Sequence, residues 1–102
     1  MDFPKEKQCQ MAMAYINFID EKYNQLTSIF DSFNGRELAK DENLRKLPPV
    51  HADLTLRLAM DGIWATLYRF LENNCPKEYE KYQKIIEKRQ EKSEILSKIF
   101  KT

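Results

Sequence analysis

The stretch CQMAMAYINFIDEKYNQLTSIFDSF, residues 9–33, decides the fold class of this chain. Its apolar residues recur at alternating steps of three and four, the seven-residue repeat of a helix packed along a neighbouring helix. This stripe consists of Cys9, Ala12, Ile16, Ile19, Tyr23, Leu26, Phe30 and Phe33. Four more apolar residues widen the stripe on one side, so we expect this helix to contact two neighbours. They are Met11, Tyr15, Phe18 and Ile29.

The rest of the chain extends this pattern to three long helices, over about residues 3–34, 51–73 and 76–100. Asn34-Gly35 supplies a left-handed stop after the first helix, and Pro76 suits the first turn of the last helix. In the connector 35–50 we expect one short helical turn near 41–47, ended by Pro48-Pro49. The sequence therefore predicts a single all-α domain, 1–102, an antiparallel bundle of three long helices with a short connecting helix.

The second and third long helices differ in how apolar they are. Apolar residues, among them Leu56 and Ile63, cover about half the circumference of the second helix, which indicates a central helix packed between others. Trp64 lies in the middle of that arc, so we expect it to be largely buried. In the last helix Arg89 and Ser93 interrupt the apolar stripe. We therefore expect residues 87–102 to be held less firmly than residues 76–86. A separate apolar cluster follows the interruption, made of Ile95, Leu96, Ile99 and Phe100.

Composition excludes several classes of protein. The 102 residues are 42% hydrophobic and 32% charged, with a formal net charge of +1, which disfavours disorder and gives no attraction to nucleic acid or anionic lipid. No run approaches the roughly 18 apolar residues of a membrane span, and the charged N-terminus leads into no apolar signal region. The two cysteines, Cys9 and Cys75, are too few for a disulfide scaffold. We expect a cytoplasmic protein with two buried, reduced thiols. An antiparallel arrangement could make the two cysteines neighbours, but the sequence leaves open whether they are close.

Residues for catalysis or metal binding are sparse. A zinc site needs about four convergent ligands, whereas this chain has one histidine, His51, and two cysteines far apart in sequence. Gly35 and Gly62 stand alone, so no phosphate-binding loop is predicted. We predict no catalytic, cofactor-binding or metal-binding residue, and therefore no enzyme and no cofactor.

One segment nevertheless has an enzyme-like pattern, because Arg45 stands six positions before His51. This spacing resembles the Arg-x(4–6)-His motif of the all-helical HEPN ribonucleases, and the resemblance implies acid–base and phosphate-binding roles for the two residues. Pro48 and Pro49 lie inside the motif, where that family presents helix. We favour a solvated arginine and an ordinary histidine at a helix start, and keep an RNA-binding or HEPN-like ribonuclease domain as the alternative. In the last helix interleaved glutamates indicate an ion-paired face, so a nucleic-acid partner is not expected.

Aromatic and apolar residues that the core does not need point to a protein partner. Leu54 and Leu58 lie off the main apolar arc of the second helix, beside Arg57 and Asp61, and either the connector or another protein covers them. We favour the connector around Leu44 and Leu47 for those two leucines. The predicted partner-binding residues are Tyr15, Phe18, Leu54, Arg57, Leu58 and Asp61.

These observations favour a small protein-binding protein of the inhibitor, adaptor, immunity-protein or regulator type, which acts by occupying the surface of a partner. A third interpretation is a structural homodimer in which the stripe of the first helix pairs across a two-fold axis.

Overall fold

The computed structural model describes residues 2–100, with the side chains of residues 2–92, Glu94, Ile95 and Lys98. Its regular structure in that range is entirely helical, so the all-α prediction is confirmed. The helices are α1 (Lys5–Ser32), α2 (Gly35–Leu38), α3 (Glu42–Arg45), α4 (Pro48–Asn74) and α5 (Pro76–Phe100). No helix within these residues is both long enough and apolar enough to cross a bilayer.

The connector differs from its prediction in two places. The predicted turn near 41–47 is present as α3, but a second short helix, α2, precedes it, and α4 begins at Pro48 rather than at His51. The two prolines occupy the first turn of α4, where a missing N–H breaks no hydrogen bond, and Leu47 before them is extended. After α1, Asn34 alone takes the left-handed conformation, with φ of 56°. Gly35 instead starts α2, at a place where a Cβ atom would collide with the Phe30 ring.

The helices α1 and α4 run antiparallel, since Cys9 contacts Cys75 just after α4 and Thr27 contacts Arg57 near its start. One side of this pair is covered by the first half of α5. The buried core between the three helices consists of Cys9, Ala12, Ile16, Leu71, Cys75 and Tyr82. Trp64 packs against this core and is largely but not fully buried. It also borders a cavity that is lined by residues of α1 and α4.

The two cysteine sulfurs are bonded to each other, with the Cα atoms 5.7 Å apart. Both residues are buried, but the expectation of reduced thiols is wrong. The antiparallel crossing places residue 9 beside the turn between α4 and α5, at a Cα separation that suits a disulfide. This bond ties the start of α1 to the turn from which α5 departs.

The molecule is flat. Its radius of gyration is 17.2 Å, against about 13 Å for a compact domain of this length, and its shortest extent is 18 Å. The described residues of α5 beyond Ile86 are exposed, including Ile95, and the side chains of Leu96, Ile99 and Phe100 lie outside the described part. An extent of 18 Å is about two helix diameters, so the pair α1/α4 has one covered side and one side that the described part of the chain leaves open.

Candidate functional site

The covered side of the helix pair is built around Tyr82, which is 1% exposed. Its hydroxyl donates to Asp20 Oδ2 at 2.6 Å and accepts from Trp64 Nε1 at 2.8 Å, while Arg89 Nη1 contacts the same carboxylate oxygen at 3.2 Å. Burial, followed by the hydrogen bond to Asp20, raises the pKa of Tyr82 to about 12. The hydroxyl stays neutral and has both partners it needs, so it stabilises the fold and is not itself an acid or base near neutral pH.

Further aromatic contacts fill this side. The rings of Trp64 and Tyr68 stack with their centroids 4.8 Å apart, and Tyr79 meets Tyr68 edge-on at 5.5 Å. The two tyrosine hydroxyls lie 3.2 Å apart, and Gln83 Nε2 donates to the Tyr68 hydroxyl. The polar tips of these side chains are therefore used within the chain.

Nearer the connector, Arg57 links α4 to α1. Its guanidinium contacts Asp53 at 2.7 Å and Thr27 Oγ1 at 3.1 Å, and lies 5.1 Å and 5.3 Å from the ring centroids of Tyr23 and Phe30. The hydrogen bond to Asp53 raises the pKa of Arg57, so the cation is permanent. This arginine was predicted to bind a partner, and the structure gives it a role within the fold.

The other side of the helix pair carries most of the exposed apolar surface. We call it the open face. Of the eleven large apolar side chains that are exposed in the described part of the chain, eight lie there. On the α1 side they are Phe3, Met11, Tyr15, Phe18, Ile29 and Phe33, and on α4 they are Leu56 and Ile63. Half-buried Leu67 and Phe70 join the two helices, since they share a groove with Met11 and Tyr15.

Charge is unevenly distributed around the open face. On its α1 edge the ammonium of Lys22 lies over the Phe18 ring, 5.4 Å from the centroid. On its α4 edge the exposed residues are small or apolar and uncharged, from Ala52 through Ala59 to Thr66. At the connector end the face leads into a cavity of about 520 Å³, lined mainly by apolar side chains that include Phe33 and Val50. Such a surface suits apolar contact, with charge at one rim only.

The six predicted partner-binding residues fall into two groups. Tyr15 and Phe18, each 53% exposed, lie on the open face. Leu54, Leu58 and Asp61 lie on another side of α4, next to Arg57. Leu58 is 73% exposed, whereas Leu54 is half-buried and shares a cavity with connector residues Arg36 and Ala39 rather than with Leu44 or Leu47. The structure thus brings together only part of the predicted set.

The remaining candidate residues are Arg45 and His51 of the enzyme-like pattern and the two cysteines. Arg45 ends α3 and His51 lies in the first turns of α4, both exposed, with a helix break between them. Cys9, Cys75 and Glu78 each offer a ligand atom within 4.8 Å of the others. Because the two sulfurs are bonded to each other, neither is a thiolate able to hold a metal in this state.

Comparison with known proteins found no matching family model, no matching curated protein and no matching solved structure. Any functional interpretation therefore rests on the residues themselves.

Sequence reasoning missed the α4 half of the open face. Leu56 and Ile63 were assigned to the apolar arc of a central helix, and nothing in their spacing separates a covered position from an exposed one. A signal was present in the residues that flank them. Ala59, Gly62 and Thr66 are small and uncharged on a side of the helix where solvent usually meets Lys or Glu.

Proposed function

We propose that this chain is a non-enzymatic protein-binding module whose open face contacts a partner protein. The observation that supports the proposal is the grouping of eight exposed large apolar side chains on one side of α1 and α4. Scattered exposed apolar residues are ordinary, but a contiguous group of this kind marks a contact surface. Aromatic side chains such as Tyr15 and Phe18 contribute large contact area at low entropic cost, as is typical of binding hot spots.

The charge pattern favours a protein over other partners. Binding to nucleic acid relies on cations that neutralise phosphates, and the α4 edge of the open face has no charged residue between Ala52 and Thr66 among those that line it. Insertion at a membrane surface favours a rim rich in Lys and Arg, which that edge also lacks. The centre of a protein–protein interface is desolvated and depleted of charged residues. The uncharged α4 edge and the apolar residues beside it suit such a centre.

In this proposal α1, α4 and the first half of α5 form an antiparallel three-helix scaffold, with the Tyr82 network on its covered side holding the open face rigid. We keep a cytoplasmic location as part of the proposal. In a reducing cytoplasm the Cys9–Cys75 pair would be a dithiol, so the redox state of the pair in protein recovered under thiol-trapping conditions tests the location.

The test of function compares two matched substitutions, one on the open face and one at an exposed position away from it. Phe18→Glu places a charge on the open face, and Leu58→Glu places the same charge at an exposed leucine away from it. Each is at an exposed helical position and replaces a large apolar residue with a good helix former, so both variants should fold. The readout is the set of proteins that a tagged chain retains in high salt, with circular dichroism to verify folding.

We expect Phe18→Glu to lose the retained partner and Leu58→Glu to keep it. Loss in both variants, or in neither, would contradict an interface on the open face. Loss in Leu58→Glu alone would move the interface to the surface around Leu54 and Leu58.

A further inference from the structure

We infer that the partner on the open face is a second copy of this chain, with the two α4 helices packed antiparallel across a two-fold axis. This inference rests on the proposed function, because it names the partner of the same surface. It differs from pairing through the α1 stripe, since much of that stripe is buried against α4 and α5.

The contact would be made by a seven-residue repeat on α4, which we call the seam. It is distinct from the seven-residue stripe of α1. Its members follow one another at steps of four and three and lie on one side of the helix, and all but half-buried Phe70 are exposed. They are Ala52, Leu56, Ala59, Ile63, Thr66 and Phe70. An exposed repeat of this kind indicates a helix neighbour that the described part of the chain does not supply.

Large and small residues alternate along the seam, so the seam is complementary to the seam of a second copy of the chain. In an antiparallel pair centred on residue 61, Phe70 faces Ala52 of the second copy and Ile63 faces Ala59 of the second copy. In the same register Leu56 faces Thr66 of the second copy. Each large side chain therefore meets a small one, and this complementarity lets two helices approach to about 8–10 Å without collision.

The distribution of charge also fits a copy. In a two-fold contact every charge at the axis meets a charge of the same sign, so a self-contact needs an uncharged centre. The seam contains no charged residue, and the charged side chains Asp61, Arg69 and Glu72 lie on other sides of α4. Asp53, the acid nearest the seam, is already paired with Arg57 at 2.7 Å.

The size of the open face agrees with the needs of a dimer. The 27 residues of α4 span about 40 Å, and two packed helices are about 20 Å wide. The face therefore offers about 800 Å² per chain, which is what each partner contributes to an interface of standard size. Met11, Tyr15 and Phe18 of α1 would flank the central α4 pair and supply part of this area.

The first experiment measures the mass of the protein by sedimentation equilibrium over a wide range of concentration. We expect a reversible dimer of twice the chain mass of 12.2 kDa. Ala59→Glu places a charge opposite Ile63 of the second copy and should give a monomer at every concentration. Leu58→Glu, the adjacent exposed position on another side of α4, should leave the dimer intact.

The second experiment tests the register by cysteine crosslinking, with the native disulfide left in place. Leu56→Cys and Thr66→Cys, mixed as separate proteins, should crosslink under mild oxidation, because these positions face each other. Each variant alone should not, because the two copies of one position are ten residues apart in register, about 15 Å. Efficient crosslinking of Leu56→Cys with itself would overturn the antiparallel register.

A monomeric wild-type protein at high concentration would overturn the inference, as would a dimer that Ala59→Glu leaves unchanged. Neither result would contradict the proposed function, which is tested separately by the capture experiment with Phe18→Glu and Leu58→Glu. A dimer lost in Ala59→Glu and kept in Leu58→Glu supports both.

Discussion

The two sides of the α1/α4 pair are made from the same two helices and differ in what covers them. On the covered side Tyr82 is 1% exposed, and its hydroxyl is held between Asp20 and Trp64. On the open face Tyr15 is 53% exposed, although it stands one residue before Ile16, which is fully buried. A rotation of about 100° per residue thus separates a core position from a surface position. Apolar character alone does not tell the two sides apart; the presence of a neighbouring helix does.

The largest expected effect contrasts the two tyrosines. Tyr82→Ala removes a buried ring and leaves the Trp64 N–H without its partner, so we expect a loss of about 3–5 kcal/mol in the free energy of unfolding. Tyr15→Ala on the open face should change that free energy by less than about 0.5 kcal/mol. Urea denaturation of dilute protein measures both. Equal losses in the two variants would mean that the open face is part of the core.

Reduction of the Cys9–Cys75 bond should have the next largest effect. The bond closes a loop with a sequence separation of 66, and so long a loop places its stabilisation near the upper end of the usual 2–4 kcal/mol. Thermal melts with and without reductant measure it. The Cys9→Ala/Cys75→Ala double variant is the control, and its melting temperature should not respond to reductant. A wild-type melt that is equally insensitive would show that the bond is absent in solution.

A smaller effect is expected at Arg57. Arg57→Ala removes the contact with Thr27 and leaves Asp53, whose side chain is 12% exposed, without its partner, so we expect a loss of about 2 kcal/mol. Arg69→Ala, at an exposed position of the same helix, should cost less than about 0.5 kcal/mol. Chemical denaturation of the two variants gives the comparison. An Arg57→Ala variant as stable as the wild type would contradict this structural role of Arg57.

The smallest effect concerns alkaline pH. Because the pKa of Tyr82 is raised to about 12 in the fold, its neutral form stabilises the protein below pH 10, and that contribution is lost as the pH rises from 10 to 12. At pH 11 the loss is about 1 kcal/mol. Tyr82→Phe should remove this part of the pH dependence, whereas Tyr15→Phe should not. Denaturation at a series of alkaline pH values measures how the free energy of unfolding depends on pH. The same pH dependence in both variants would contradict its assignment to Tyr82.

Part of this structure could be predicted from the sequence. The stripe of α1 identifies Cys9, Ala12, Ile16 and Ile19 as core, because a repeat of this length fixes which side of a helix meets its neighbours. The same stripe includes Phe33, which is 74% exposed, since α1 ends before it. Periodicity shows which side of a helix is buried. It does not show at which residue the neighbouring helix stops covering that side.

The candidate site was only partly predictable, for the same reason. Tyr15 and Phe18 were recognised because they widen an already complete stripe. The seam on α4 was not recognised, because Leu56 and Ile63 belong equally well to a helix covered on all sides. The contacts of Tyr82 with Asp20 and of Arg89 with Asp20 join residues more than 60 positions apart, and no local pattern specifies such pairs.

The central claim is that one side of the α1/α4 pair is internal and the other is a surface that a second chain covers. Hydroxyl-radical footprinting of dilute and concentrated protein tests it in one measurement. We predict that Tyr82 is protected at both concentrations and Leu58 reacts at both, while Phe18 and Ile63 react in dilute protein and become protected in concentrated protein. Phe18 and Ile63 that react equally at both concentrations, or a reactive Tyr82 in the dilute protein, would contradict the account.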